Sequence, residues 1–147
     1  MARVFIGLGS NLGDREKNLS EAVRRLASPG ITIVKQSSIL ETDPVDYLDQ
    51  PRFLNTIVIV ETNLEPRELL ARAQEIEIEL GRRKTVPKGP RTIDLDILLY
   101  DDIILQSPDL TIPHPEIKNR KFIIRHLVEL DPGLTDPITN VPYRDLL

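Results

Sequence analysis

Phe53-Leu54-Asn55-Thr56-Ile57-Val58-Ile59-Val60, followed by Glu65-Pro66 and then by Thr92-Ile93-Asp94-Leu95-Asp96-Ile97-Leu98-Leu99-Tyr100, is the stretch that decides the fold. The first run is dominated by Ile and Val and reads as a strand. Glu65-Pro66 opens a helix with proline at its first position; Leu69, Leu70, Ala73, Ile76 and Leu80 supply the apolar stripe, and Gly81 stops it. A basic loop from Arg82 to Arg91 then leads into the second strand. Strand, helix, strand is one half of a split βαβ arrangement.

The preceding residues supply the other half. Arg3 to Leu8 is a short apolar run ending among Gly7, Gly9 and Gly13, which read as allowing a tight turn and close packing, and Leu19, Ala22, Val23, Leu26 and Ala27 recur at helical spacing. Pro29-Gly30 stops that helix, and Ile31 to Leu40 alternates with β-branched character. Beyond the central stretch, Asp101-Asp102 turns the strand into a short apolar partner, Ile103 to Leu105. Pro113-His114-Pro115 opens a last helix over Glu116 to Leu130, and the proline-rich tail after Asp131 reads as loosely held. The order predicts an α+β fold: a ferredoxin-like βαββαβ core with an antiparallel sheet, an appended strand or hairpin and a C-terminal helix. Its 147 residues are expected to form one domain, 1–147.

Composition narrows the function. Nineteen Lys and Arg stand against 23 Asp and Glu, a net charge of -4, so the chain lacks the basic field that a general nucleic-acid or membrane-surface binder needs. Phosphate binding must come from a local cluster. With no cysteine, thiolate metal sites, disulfides and cysteine nucleophiles are unavailable. Met-Ala-Arg-Val-Phe-Ile-Gly enters a strand-like segment directly, and no apolar run approaches spanning length, so a cytoplasmic protein is expected.

Side chains alternate along a strand, so Asp94 and Asp96 leave one face together while Ile93, Leu95 and Ile97 enter the core. Two hard oxygen ligands on one rigid strand suit Mg²⁺, although a bare Asp-x-Asp is more often solvated surface. Arg82, Arg83, Lys84, Lys88 and Arg91 stand immediately before it, and cations converging beside such a claw favour a metal-bound polyphosphate. Gln74, Glu77 and Gly81, at i, i+3 and i+7, place a polar helix edge beside the basic loop. His114, held between two prolines, could meet a phosphate or begin a helix; His126 reads as structural. Phe53 and Asn55 share a strand face, an aromatic ring beside a bidentate amide that suits a planar heterocycle, and Phe122 is a second stacking candidate. Gly7-Leu8-Gly9-Ser10-Asn11-Leu12-Gly13 raises a rival, a dinucleotide-binding oxidoreductase, but its spacing is GxGxxxG and no regular strand-helix alternation follows. A nucleotide-binding module without catalysis is the third reading.

Gly89-Pro90-Arg91-Thr92-Ile93-Asp94-Leu95-Asp96-Ile97-Leu98 resembles the 6-hydroxymethyl-7,8-dihydropterin pyrophosphokinases of folate biosynthesis. The resemblance extends through Gly9-Ser10-Asn11-Leu12-Gly13, Gln50-Pro51, Phe53-Leu54-Asn55, Gln74-Glu75-Ile76-Glu77, Gly81-Arg82, Pro113-His114-Pro115 and Arg120-Lys121-Phe122. It implies transfer of the β,γ-pyrophosphoryl group of ATP to the pterin hydroxymethyl oxygen, releasing AMP. It implies two Mg²⁺ on Asp94 and Asp96, and ATP contacts from Gln74, Glu77, Arg82, Lys84, Lys88, Arg91, Ile97, His114 and Arg120, with Arg82, Arg91, Asp94 and Asp96 carrying catalysis. The pterin is expected among Thr42, Pro44, Val45, Phe53, Asn55, Asp94 and Phe122, in a monomer with no nucleic-acid or membrane partner. Lys88 departs from the family pattern, where an aromatic residue is common, and which of Arg83, Lys84 and Lys88 meets phosphate stays open.

Overall fold

The computed structural model describes residues 1–44, 48–81 and 90–147. The expected alternation gives β1 (Ala2–Ser10), α1 (Arg15–Leu26), β2 (Ile31–Gln36), β3 (Leu40–Thr42), β4 (Phe53–Thr62), α2 (Pro66–Glu79), β5 (Asp94–Tyr100), β6 (Leu105–Gln106), β7 (Thr111–Ile112) and α3 (Lys121–Leu130), then a 3-10 turn at Tyr143–Leu146. The main sheet runs β2-β4-β1-β5 with every pairing antiparallel, and β3 also pairs with β4. β4 therefore lies between the strands that α1 connects, and β1 between those that α2 connects. That is the split βαβ topology the sequence predicts, in an α+β fold.

Local chemistry fixes the helix ends. Asp14 caps α1 by accepting the Lys17 amide at 3.1 Å, and Glu65 and Glu68 form a capping box around Pro66. Gly81, at φ +87°, takes the left-handed conformation that ends α2. α1 and α2 bury Leu19, Ala22, Leu26, Leu69, Ala73 and Ile76 against Val4, Ile6, Leu8, Leu95 and Ile97 on one sheet face. α3 covers part of the other face, where Ile123, Ile124, Leu127 and Leu130 meet Phe5, Ile57, Ile59, Leu98 and Leu99. Among the described residues no helix is long and apolar enough to cross a membrane.

Four expectations need correction. The run Ile31 to Leu40 is two strands, because Ser37 turns its side chain into the ladder: its Oγ accepts the Ile57 amide at 2.9 Å and shares a bond with Thr56 Oγ1 at 3.1 Å. Ile103 to Leu105 does not pair back on β5; Leu105–Gln106 pairs instead with Thr111–Ile112. The last helix begins at Lys121 rather than Glu116, since the preceding residues form turns with bonds such as Ile117 N to the His114 carbonyl. The tail is packed, not loose. Tyr143 is 1% exposed within the α3 cluster, and the carboxylate of Asp136, 2% exposed, takes the Lys118 ammonium at 2.7 Å.

Candidate active site

β1 is the centre of the site. Its register sets Gly9 opposite Asn55 on β4 and opposite Asp94 on β5, and sets Gly7 opposite Ile57 and Asp96. Gly7 and Gly9 do not form the tight turn expected of them, because they lie inside β1, whereas Gly13, at φ +74°, stands in the link from β1 to α1. That placement also removes the basis of a dinucleotide-binding turn, which needs its glycines between strand and helix.

The two aspartates behave as alternation requires. Ile93, Leu95 and Ile97 are buried, while the Asp94 and Asp96 side chains leave the opposite face half-exposed. Arg91 donates to Asp94 Oδ2 at 3.1 Å and lies 5.2 Å over the Phe53 ring, so one guanidinium joins the carboxylate end to the aromatic end. His114 Nε2 stands 4.0 Å from Asp96 Oδ1. Its Nδ1 accepts the Glu116 amide at 3.1 Å, so the neutral ring carries its proton on Nε2 and presents a donor beside Asp96. The His114 amide in turn bonds the Leu98 carbonyl on the outer edge of β5 at 2.9 Å.

At that edge a cleft of about 210 Å³ is lined by Ile97, Asp96, His114, Leu70, Leu110 and Thr111, among others. Ile97 and His114 are thus brought together with Asp96; Leu70, Leu110 and Thr111 carried no signal in the sequence. Gln74 is exposed on α2. Glu77 is not on an exposed polar edge as expected: it is 9% exposed and its Oε2 accepts the Leu95 amide at 2.8 Å, between the two aspartates. Arg120 precedes α3 with its Nε shut from solvent and without a hydrogen bond among the described residues, 3.6 Å from Glu116.

Phe53 and Asn55 share the site face of β4, and Asn55 Nδ2 donates to Thr42 Oγ1 on β3. Pro44 follows that strand, and Phe122 on α3 is partly buried against the cluster that covers the same face. Val45, Arg82, Lys84 and Lys88, with Arg83, lie outside the described residues. Sequence reading missed Asn11. It is 2% exposed, its amide nitrogen donates to Gln50 Oε1 and the Pro51 carbonyl at 2.8 and 2.9 Å, and its Oδ1 accepts the Arg91 amide at 2.9 Å. Only the polarity of a short motif could have drawn attention to it.

Asp94 and Asp96 fit a divalent cation that completes its shell with substrate oxygens and water; among the described residues no group of three or more His, Asp or Glu encloses one. A carboxylate pair, a guanidinium and an imidazole donor thus stand on one side of β1, with an aromatic ring and an amide on the other.

The model of the 7,8-dihydro-6-hydroxymethylpterin-pyrophosphokinase (HPPK) family matches residues 5–132. The 2-amino-4-hydroxy-6-hydroxymethyldihydropteridine pyrophosphokinase of Bacillus subtilis is 49% identical over 127 residues, 86% of this chain and 76% of its own. The folic acid synthesis protein fol1 of Schizosaccharomyces pombe is 43% identical over 144 residues, 97% of this chain but 20% of that protein. In fold, a crystal structure of Plasmodium falciparum HPPK-DHPS with pteroate superposes at a TM-score of 0.76 with 17% identity, covering 99% of this chain and 41% of that one. This chain belongs to the HPPK family. It spans about a fifth of the length of the fungal relatives it matches.

Proposed function

We propose that this chain moves the β,γ-pyrophosphoryl group of ATP to the hydroxymethyl oxygen of 6-hydroxymethyl-7,8-dihydropterin and releases AMP, a step of folate biosynthesis. One observation carries the reading: the Asn55-Gly9-Asp94 register, which sets an aromatic-amide pair and a carboxylate claw on opposite flanks of one glycine. Family membership supplies the substrates.

In-line transfer of a phosphoryl group develops negative charge over oxygens and needs placement and neutralisation more than covalent chemistry. Asp94 and Asp96 would hold two Mg²⁺, which when bound supply Lewis acidity and a template for the phosphates. Arg91 and the Nε2 proton of His114 face the same region and would bind phosphate oxygens, with Arg120 and the cations among Arg82, Lys84 and Lys88 adding charge. The cleft at the outer edge of β5, with Ile97 in its wall and Gln74 and Glu77 on the adjoining helix, would take the nucleoside. Phe53 and Phe122 would stack the pterin, with Thr42, Pro44 and Val45 along its rim. No side chain is assigned as general base for the hydroxyl. The chain acts as a single domain over 1–147, as a cytoplasmic monomer.

The test mixes protein, Mg-ATP and the pterin alcohol and separates the products. AMP with pterin diphosphate is expected; ADP instead overturns the reaction, and turnover by Asp96→Ala overturns the metal assignment.

A further inference from the structure

The stretch from Pro113 to Arg120 links β7 to α3 outside any helix or strand, yet it carries His114 and Arg120, two of the groups assigned to the phosphates. Turn bonds run through it, from Ile117 N to the His114 carbonyl at 3.2 Å and from Arg120 N to the Ile117 carbonyl at 3.4 Å. Those bonds set its curl but not its place on the sheet. Its place comes from the His114 amide on the Leu98 carbonyl at 2.9 Å, from Ile117 buried in the α3 cluster, and from the Lys118 ammonium on Asp136 Oδ2 at 2.7 Å. A segment outside the helices and ladders opens at lower free energy than they do, so each such tie matters.

Asp136 is firmly held. It lies beyond residue 132, where the match to the family model ends. Its carboxylate is 2% exposed, and Oδ1 accepts the Ile138 amide at 2.8 Å while Oδ2 meets Lys118. Its backbone closes the same turn: the amide donates to the Val141 carbonyl at 2.9 Å, and the carbonyl accepts the Asn140 amide at 2.8 Å. Tyr143 follows, buried in the cluster that also holds Ile117, and its amide donates to the Leu134 carbonyl at 2.9 Å. The tail is thus a rigid post. Lys118 is half-exposed, so burial alone does not fix its side chain; the short, charge-assisted bond to Asp136 does.

We infer that Asp136 is a positioning residue for the proposed transfer: through Lys118 it holds the segment from which His114 and Arg120 reach the phosphates. Its action is indirect. His114 Nε2 stands 4.0 Å from Asp96 Oδ1, and a displacement of about 1 Å at such a site can cost about a hundredfold in rate. The inference rests on the phosphate reading of His114 and Arg120, and carries it into a part of the chain that the family match does not reach.

The experiment compares Lys118→Met, Lys118→Met/Asp136→Asn and Lys118→Arg with the unaltered protein, at a temperature where circular dichroism shows all of them folded. Lys118→Met should lower kcat/KM for ATP by about tenfold. Hydrogen exchange at the His114 amide should quicken by about tenfold as well, while the amides of β1 keep their protection. The double variant leaves no buried charge without a partner, so its stability should return toward that of the parent; its kcat/KM should stay about tenfold down, because the link is still cut. Lys118→Arg keeps a cation on Asp136 and should stay within about threefold of the parent. A merely structural pair gives activity that returns with stability in the double variant, or kcat/KM and His114 exchange within about twofold of the parent in Lys118→Met. Either result overturns the inference. Absence of AMP from the unaltered protein overturns the transfer reading instead, and the exchange arm then decides by itself whether Asp136 holds the segment.

Discussion

Truncation of Glu77 to alanine tests how the carboxylate claw is held. β5 is an edge strand with β1 on one side only, and on its open side the Leu95 amide is captured by Glu77 Oε2 at 2.8 Å. Glu77 is 9% exposed and Leu95 4%, so the amide left behind has little water to replace its partner. A hydrogen bond to a charged group contributes about 1.5–3 kcal/mol, and a buried donor left unsatisfied costs a similar amount, so Glu77→Ala should destabilise by about 2–3 kcal/mol. For a chain of this size that lowers Tm by roughly 5–10 °C. Glu77→Gln keeps an acceptor oxygen and should lose about 1 kcal/mol or less. Urea denaturation followed by far-UV circular dichroism gives the stabilities, and hydrogen exchange at the Leu95 amide gives the local effect. Because Leu95 separates Asp94 from Asp96, kcat should fall by about tenfold or more in Glu77→Ala and recover in Glu77→Gln. An alanine variant with an unchanged urea midpoint and a still protected Leu95 amide would refute the reasoning.

Two further outcomes follow from buried charge. His126 is 1% exposed, and burial pushes its pKa down against the pull of the Glu129 carboxylate and the Ser38 backbone. The unfolded chain thus binds this proton more readily: the stability tied to a neutral His126 is full above about pH 6.5 and is lost as pH falls below it, so His126→Leu should flatten the stability profile below about pH 6.5 in urea titrations. For Asp136 burial opposes ionisation, but bonds from Lys118 and the Ile138 amide together outweigh it and hold the carboxyl below its usual value. Its contribution is present above about pH 4 and lost as pH falls through the depressed folded value. Lys118→Met should cost about 1–2 kcal/mol at neutral pH, less than for a fully buried pair because Lys118 is half-exposed, and the difference from the parent should shrink in acid.

What the sequence disclosed and what it hid divide along physical lines. The alternation of Asp94 and Asp96 with Leu95 and Ile97 was legible because a strand has a fixed period of two, and the helices were legible from their apolar stripes and caps. The turn reading held for Gly13 but not for Gly7 and Gly9, because a run of glycines signals a turn more often than a strand closely packed by its neighbours. The burial of Glu77 and the role of Asn11 were hidden for another reason: their partners are backbone groups far along the chain, Leu95 for one and Pro51 and Arg91 for the other, and no local pattern marks such a bond. The tail was misjudged likewise, since Tyr143 and Asp136 are held by α3 and Lys118 rather than by neighbours in sequence.

The sheet explains why the site can be both open and rigid. Its α1–α2 face is continuous core, whereas α3 reaches only part of the opposite face, over Phe5, Ile57, Ile59 and Leu99. The strand ends beyond that cover carry Gly7, Gly9, Phe53, Asn55, Asp94 and Asp96. Every one of them alternates with a residue on the buried side: Ile6 and Leu8 beside the glycines, Leu54 and Thr56 beside Asn55, Leu95 and Ile97 beside Asp96. A binding group on a loop is fixed by its own contacts, but here each is fixed by its neighbour's burial on the far side of the strand. The candidate face can therefore remain polar and half-exposed without losing its spacing, because the ångström-scale geometry that the proposed phosphoryl transfer demands is maintained by the core beneath it.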